Sequence, residues 1–205
     1  MDDGLDREGH DSAGAPAGER RVRADALRNV DGLLKAAMTV FAASGVDAPV
    51  REIAKEAGVG VGTLYRHFPQ RSDLITAVFR REIDACADAA PQLAADHPPF
   101  EALKRWMRRY VDFILAKRGL AAALHSGDPA YDALPAYFDQ KLRPAFQMLL
   151  DAAAAAGEIR PGAKPNELLW AVASLCSPAH DVGPDYSLDM VGLLLDGLRY
   201  RPDSN

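Results

Sequence analysis

The run Gly58-Val59-Gly60-Val61-Gly62-Thr63-Leu64-Tyr65-Arg66-His67-Phe68 constrains this chain more than any other stretch. It follows a short amphipathic segment, Val50 to Ala57, and the two read as the halves of a helix-turn-helix. Gly58 can take the left-handed conformation that ends one helix and turns the chain. Leu64 and Phe68 lie one helical step of four apart and supply a face to bury. Helix geometry then directs Gly62, Thr63, Tyr65 and Arg66 away from that face, with Val61 and His67 at its margins. Such an outer face suits a DNA groove. Thr and Tyr can bond phosphates, Arg can bond phosphate or guanine, and Gly lets the backbone come close.

The run closely resembles the recognition helix of TetR-type bacterial transcription regulators. The similarity extends over about 23–78. Arg28-Asn29, Leu33-Leu34-Lys35-Ala36-Ala37, Phe41 and Gly45 match the family's first helix, and Arg51, Ile53-Ala54 and Ala57-Gly58 its second. Two positions depart from the family pattern. Gly60 stands where a capping Ser is common, which weakens the start of the third helix. Pro49 stands where a capping Thr is common, so a capping box with Glu52 cannot form, although Pro is favoured at a helix start. The resemblance implies that Thr63, Tyr65, His67 and Arg71 hold the phosphate backbone. It places Arg51, Val61, Gly62 and Arg66 closest to base edges. Of these, Arg51 and Arg66 are the candidates for sequence discrimination.

A net charge of -5 over 205 residues is unexpected for a DNA binder, so its distribution matters. From Glu19 to Arg71 there are nine Lys or Arg against six Asp or Glu, a balance of +3. Residues 1–18 carry -4, and residues 72–205 carry the other -4. A basic head on an acidic body keeps an electrostatic footprint for DNA while the body resists non-specific association. The acidic, Gly- and Ala-rich segment 1–18 is the opposite of a signal peptide, and it reads as a disordered tail on a cytoplasmic protein. No apolar run approaches the ~20 residues that span a bilayer, so no membrane role is expected.

The expected fold is all-α, with about nine helices. Residues 19–69 form a three-helix DNA-binding head, 70–90 a connecting fourth helix, and 91–200 a helical ligand-binding and dimerisation body. The first helix runs from Ala24 to Ser44. Before it, Arg20-Arg21-Val22-Arg23 is either a solvated approach or an arm that contacts phosphate or the minor groove. Residues 91–99 read as a linker. A long helix over 130–156 contains Pro135 and Pro144, which should kink or divide it.

The body carries two apolar constellations. Leu168, Leu169, Val172 and Leu175, with Leu188, Val191, Leu194, Leu195 and Leu198, form two stripes on the last helices. Some of these must serve the chain's own core; by resemblance the last two helices pack against a second copy in a four-helix interface, and a two-fold dimer would set two recognition helices ~34–36 Å apart on a palindrome. Trp106, Tyr110, Phe113, His125, Tyr131, Phe138, Met148 and Trp170 supply aromatic and soft surface of the kind that lines ligand cavities. Aromatic residues at helical spacing are more often plain core, so these are pocket candidates only.

Catalysis is not indicated. His97, His125 and His180 are scattered, the distant Cys86 and Cys176 form no metal-ligand pair, and no nucleophile elbow is present. No cofactor is implied. The expected function is therefore a homodimeric, ligand-responsive repressor that binds a palindromic operator on double-stranded DNA. A small-molecule effector would release it. Two alternatives stand beside this: a ligand-independent or activating DNA binder, and a small-molecule binding protein whose head has a partner other than DNA.

Overall fold

A computed structural model describes residues 17–116, 120–124, 126–176 and 184–199. Among these residues the secondary structure is wholly helical, so the all-α expectation holds. Helices α1 (Ala17–Ser44), α2 (Val50–Glu56) and α3 (Val61–His67) build the N-terminal helix-turn-helix unit. Helix α4 (Arg71–Asp96) leads into the body of α5 (Pro99–Ala116), α6 (Ala121–Leu124), α7 (Leu134–Ala155), α8 (Pro165–Leu175) and α9 (Pro184–Arg199).

The glycines end helices as the sequence predicts. Gly45 has φ +78 and Gly58 φ +67. After α2, the Ala57 N–H donates to the Ile53 carbonyl at 2.9 Å and the Val59 N–H to the Ala54 carbonyl at 2.9 Å. These bonds satisfy carbonyls that the end of the helix would leave open, and they aim the chain into α3. Gly60 caps α3 without any side-chain bond, in keeping with its lack of a hydroxyl. Around the turn, Leu33, Ala37, Phe41, Ile53, Leu64, Ile75 and Val78 are all essentially inaccessible and share one core.

Four boundaries differ from expectation. Helix α1 starts at Ala17, so the Arg20–Arg23 arm and the last two residues of the expected tail are helical backbone. The side chains of that arm lie outside the described residues. Helix α4 runs on through Pro91 to Asp96, where a linker was expected. Pro91 removes one helical N–H and crowds the carbonyl of Ala87. Two donors from α5 bond the carbonyls just before it. Trp106 Nε1 donates to Cys86 at 2.9 Å and Arg109 Nε to Ala85 at 3.2 Å. Leu93 then packs against the core and keeps the last turn in place.

Pro135 does not kink a long helix: it sits in the first turn of α7, where a missing N–H costs nothing, and a separate 3₁₀ turn spans Pro129–Tyr131. Pro144 does lie inside α7. Helix α6 is a single turn, shorter than the segment expected over 119–125.

Helix α4 is the shared element. It packs on α1 at one end and on α5 and α7 along the rest. Arg81 on α4 donates Nε to Asp31 Oδ1 of α1 at 2.7 Å. Farther along, Asp84 accepts from the Tyr137 hydroxyl at 2.7 Å and lies 3.2 Å from Lys141 Nζ, both on α7. One helix is thus bonded to the N-terminal unit and to the body within four residues.

Candidate nucleic-acid interface and effector cavity

Helix α3 is short, and a single buried face holds it down. Leu64 is 1% exposed, and Phe68 at its end is buried beside it. The opposite side is open to solvent: Val61 is 39% and Tyr65 50% exposed, and Gly62, Arg66 and His67 are also exposed. Thr63 is half-buried. Arg51, on α2, is exposed. A Cβ added at Gly62 would meet nothing within 4 Å, so the backbone there is open to close approach from outside. Large apolar and phenolic groups do not face water to stabilise a helix, so this face is available for a partner.

Arg71 is placed differently from the rest. Its guanidinium turns inward, donating Nη1 to the Val46 carbonyl and Nη2 to the Ala48 carbonyl at 2.8 Å. Both carbonyls belong to the α1–α2 connection. In the chain without DNA, the guanidinium expected at a phosphate is engaged with this loop. A planar fork fits two neighbouring carbonyls, so Arg71 binds the loop to the start of α4.

The body contains a cavity of about 440 Å³. Phe79 of α4, Tyr110 of α5, Tyr131, Phe138 of α7 and Trp170 of α8 surround it with rings. Ile114, Leu124, Leu134 and Leu169 fill the gaps, and Asp139 and Asn166 provide polar groups. Four of the expected pocket residues are therefore brought together: Tyr110, Tyr131, Phe138 and Trp170. Three are not. Trp106 is fully buried and stacked between Tyr110 and Phe146, at 5.8 and 5.0 Å. Phe113 stands one layer behind the wall, 5.7 Å from Phe79 and 6.2 Å from Phe138. Met148 faces out. His125 lies outside the described residues.

Sequence reasoning missed Phe79, Asp139 and Asn166. In the sequence Phe79 is one apolar residue among Leu74, Ile75, Val78 and Ile83 at helical spacing, and that spacing does not say that it borders a void. The two phenols are held neutral. Burial pushes the Tyr110 hydroxyl well above its ordinary value, and it donates to the Leu169 carbonyl at 3.3 Å. Burial, then the nearby Asp128 charge, raises Tyr131.

The two apolar stripes on α8 and α9 require correction. Leu169, Val172, Val191, Leu195 and Leu198 are at most 3% exposed within the single chain. They are the body's own core, with Leu169 also at the cavity. Leu168, Leu175, Leu188 and Leu194 are partly buried against the same core. The open apolar groups on these helices are instead Trp170, 76% exposed, Leu193, 64% exposed, and Tyr186.

Comparison with known proteins places the fold. Residues 98–200, half of the chain, match the domain described as transcriptional regulator SbtR-like, C-terminal domain, and residues 33–78 match bacterial regulatory proteins, tetR family. This chain belongs to the TetR family of bacterial transcription regulators. The TetR-family unit covers the second half of α1 from Leu33 on, all of α2 and α3, and the first turns of α4. A TetR transcriptional regulator of Streptomyces coelicolor is 40% identical, with 84% of this chain and 99% of that one aligned and a TM-score of 0.69. A TetR regulatory protein of Mycobacterium vanbaalenii is 35% identical over 87% and 99%, with a TM-score of 0.67. An HTH-type transcriptional regulator of Staphylococcus aureus is 30% identical over 123 residues, 59% of this chain and 66% of its own length. The TetR-like regulator LfrR of Mycobacterium smegmatis, solved in complex with proflavine, shares the fold at 23% identity over 87% and 99%, with a TM-score of 0.63.

DNA-binding regulation of transcription is thus the function of this chain, as its TetR-family membership states. No helix among the described residues is long and apolar enough to cross a membrane.

Proposed function

We propose that this TetR-family protein is a homodimeric repressor that reads a palindromic operator and is released by a small molecule bound in the body cavity. The observation that carries the reading is the α3 face. A helix with one buried face, anchored by Leu64, presents Tyr65, Arg66 and His67 to solvent beside the exposed Arg51 of α2. Tyr65, Thr63 and His67 position the protein on phosphates. Arg51 and Arg66 read base edges, and Val61 and Gly62 fit close to the groove floor. Arg71 acts indirectly, by holding the loop that sets α2.

A second copy covers the open face of α8 and α9 around Trp170 and Leu193. Apolar groups of that size at 76% and 64% exposure favour burial in a partner. Two-fold pairing places two α3 helices about one DNA turn apart, ~34–36 Å. Occupation of the operator blocks transcription in the bacterial cytoplasm. That LfrR binds proflavine supports an effector site in a body of this shape.

The coupling runs through α4. Phe79 faces the cavity, and Arg81, two residues on, bonds α1. An effector that displaces Phe79 rotates or shifts α4 and changes the separation of the two α3 helices. Release requires only that the effector prefer the non-binding state, by ~1–3 kcal/mol in coupling.

Selection of bound duplexes from random DNA tests the reading. The expected product is an inverted repeat whose affinity falls steeply with salt, as phosphate contacts demand. An asymmetric site, or affinity indifferent to salt, would contradict it.

A further inference from the structure

We infer that the body cavity selects an organic cation, namely a compact, largely aromatic molecule carrying one positive charge. The inference rests on reading the cavity as the effector site and adds the sign of the effector's charge. Five rings face the cavity, those of Phe79, Tyr110, Tyr131, Phe138 and Trp170. The polar side chains on the lining are the Asp139 carboxylate, the Asn166 amide and the two phenols. Among the described lining residues none is Lys, Arg or His, and Asp139 is the one formal charge among them.

Each class of ligand meets a different balance in such a chamber. An anion would lose its water, find no cation among the described lining residues, and face a carboxylate and the negative faces of the rings. A neutral compound would gain apolar burial alone. A cation gains that burial, the attraction of the ring faces and the Asp139 carboxylate together. A volume of about 440 Å³ suits a molecule of two to four fused or linked rings.

Asp139 is available for this role. Its neighbour Arg143 lies 3.4 Å away, one turn on along α7, and both side chains are about half exposed. An exposed pair of this kind is weak, so a ligand cation bound against the rings can take Arg143's place. Trp170, on the same rim, adds a broad ring face to the lining.

Three tricyclic probes of similar size test the inference at mildly alkaline pH: proflavine as cation, acridine as neutral body and anthracene carboxylate as anion. Fluorescence or calorimetric titration of the full chain should show proflavine bound about tenfold tighter than acridine, with anthracene carboxylate weakest. Asp139→Asn should bring proflavine close to acridine while leaving acridine unchanged, and Asp139→Glu should keep the preference. Trp170→Leu should weaken all three. Equal or tighter binding of acridine or anthracene carboxylate, an unaltered preference in Asp139→Asn, or no binding of any probe would overturn the inference. Operator binding is read separately. Proflavine that binds with the expected charge preference but leaves the operator complex intact supports the cavity's selectivity and refutes the release mechanism.

Discussion

Arg81 Nε lies 2.7 Å from Asp31 Oδ1, and this ion pair joins the helix that lines the body cavity to the first helix of the DNA-binding unit. Arg81 also bonds Glu82 on its own helix, and Asp31 also pairs with Lys35 at 2.9 Å. The bonds from Arg81, then Lys35, hold the Asp31 carboxyl below its usual range. Asp31 is nearly half exposed, so the pair contributes less than ~1 kcal/mol to stability after solvent screening. A depressed carboxylate stabilises the fold above the unfolded-state pKa of ~4, and the contribution is lost as pH falls through the lower folded value. A double-mutant cycle with Arg81→Ala and Asp31→Ala, followed by urea unfolding, should give a small coupling at neutral pH that vanishes in acid and shrinks in salt.

Arg71 gives a larger effect. Arg71→Met removes the donors of two carbonyls, at Val46 and Ala48, in a half-buried setting. Loss of ~1–3 kcal/mol in chemical denaturation is expected. Arg71→Lys should recover part of it, because one ammonium cannot match the planar fork. Unchanged stability in Arg71→Met would show that the inward bonds carry nothing.

Trp106→Phe isolates one buried hydrogen bond. The indole Nε1–H of a fully buried ring donates to the Cys86 carbonyl of α4 at 2.9 Å. Removal of the donor and the second ring should cost ~2–4 kcal/mol, read as a lowered thermal midpoint. The body cavity should keep its affinity for the probes, since Trp106 is not on its lining.

Gly58→Ala tests the turn. At φ +67 a Cβ is strained even though nothing lies within 4 Å of it. Destabilisation of ~1–2 kcal/mol is expected, with operator affinity falling as α3 loses its fixed angle to α2.

Specificity separates the α3 residues. Arg51→Ala or Arg66→Ala should lower discrimination between operator and scrambled duplex, by ~1–3 kcal/mol for a bidentate contact. Tyr65→Phe should weaken both duplexes alike. Competition binding at fixed salt reads the difference, and undiminished discrimination in both Arg variants would remove them as base readers. If the proposed two-fold pairing holds, Leu193→Asp should yield a monomer in sedimentation at micromolar concentration, where the parent chain is a dimer, without loss of helicity.

Much of this molecule was legible because its signals are local. Gly45 and Gly58 end helices because few other residues tolerate a positive φ, and Leu64 with Phe68 sets which side of α3 is open. Those facts depend on a few neighbouring residues, so the helix-turn-helix and its outward face follow from the run 58–68 and the short segment 50–57 before it. The continuation of α4 through Pro91 was not legible. The penalty that Pro imposes is a local rule, and it was outweighed by the packing of Leu93 and of α4 against α5 and α7.

The sequence by itself determined the all-helical class, the turn geometry of the N-terminal unit, and which residues of α3 face away from the core. Periodicity marks the face of a helix that is buried; it says nothing of what buries it. For that reason the leucines of α8 and α9, which read as a partner surface, had to be placed in three dimensions before Val172, Val191, Leu195 and Leu198 proved to be the body's own core. The cavity among Phe79, Tyr110, Tyr131, Phe138 and Trp170, and the inward turn of Arg71, likewise exist only because five separated helices and a loop converge. Contacts between residues tens of positions apart are chosen by global packing, and no local pattern encodes them.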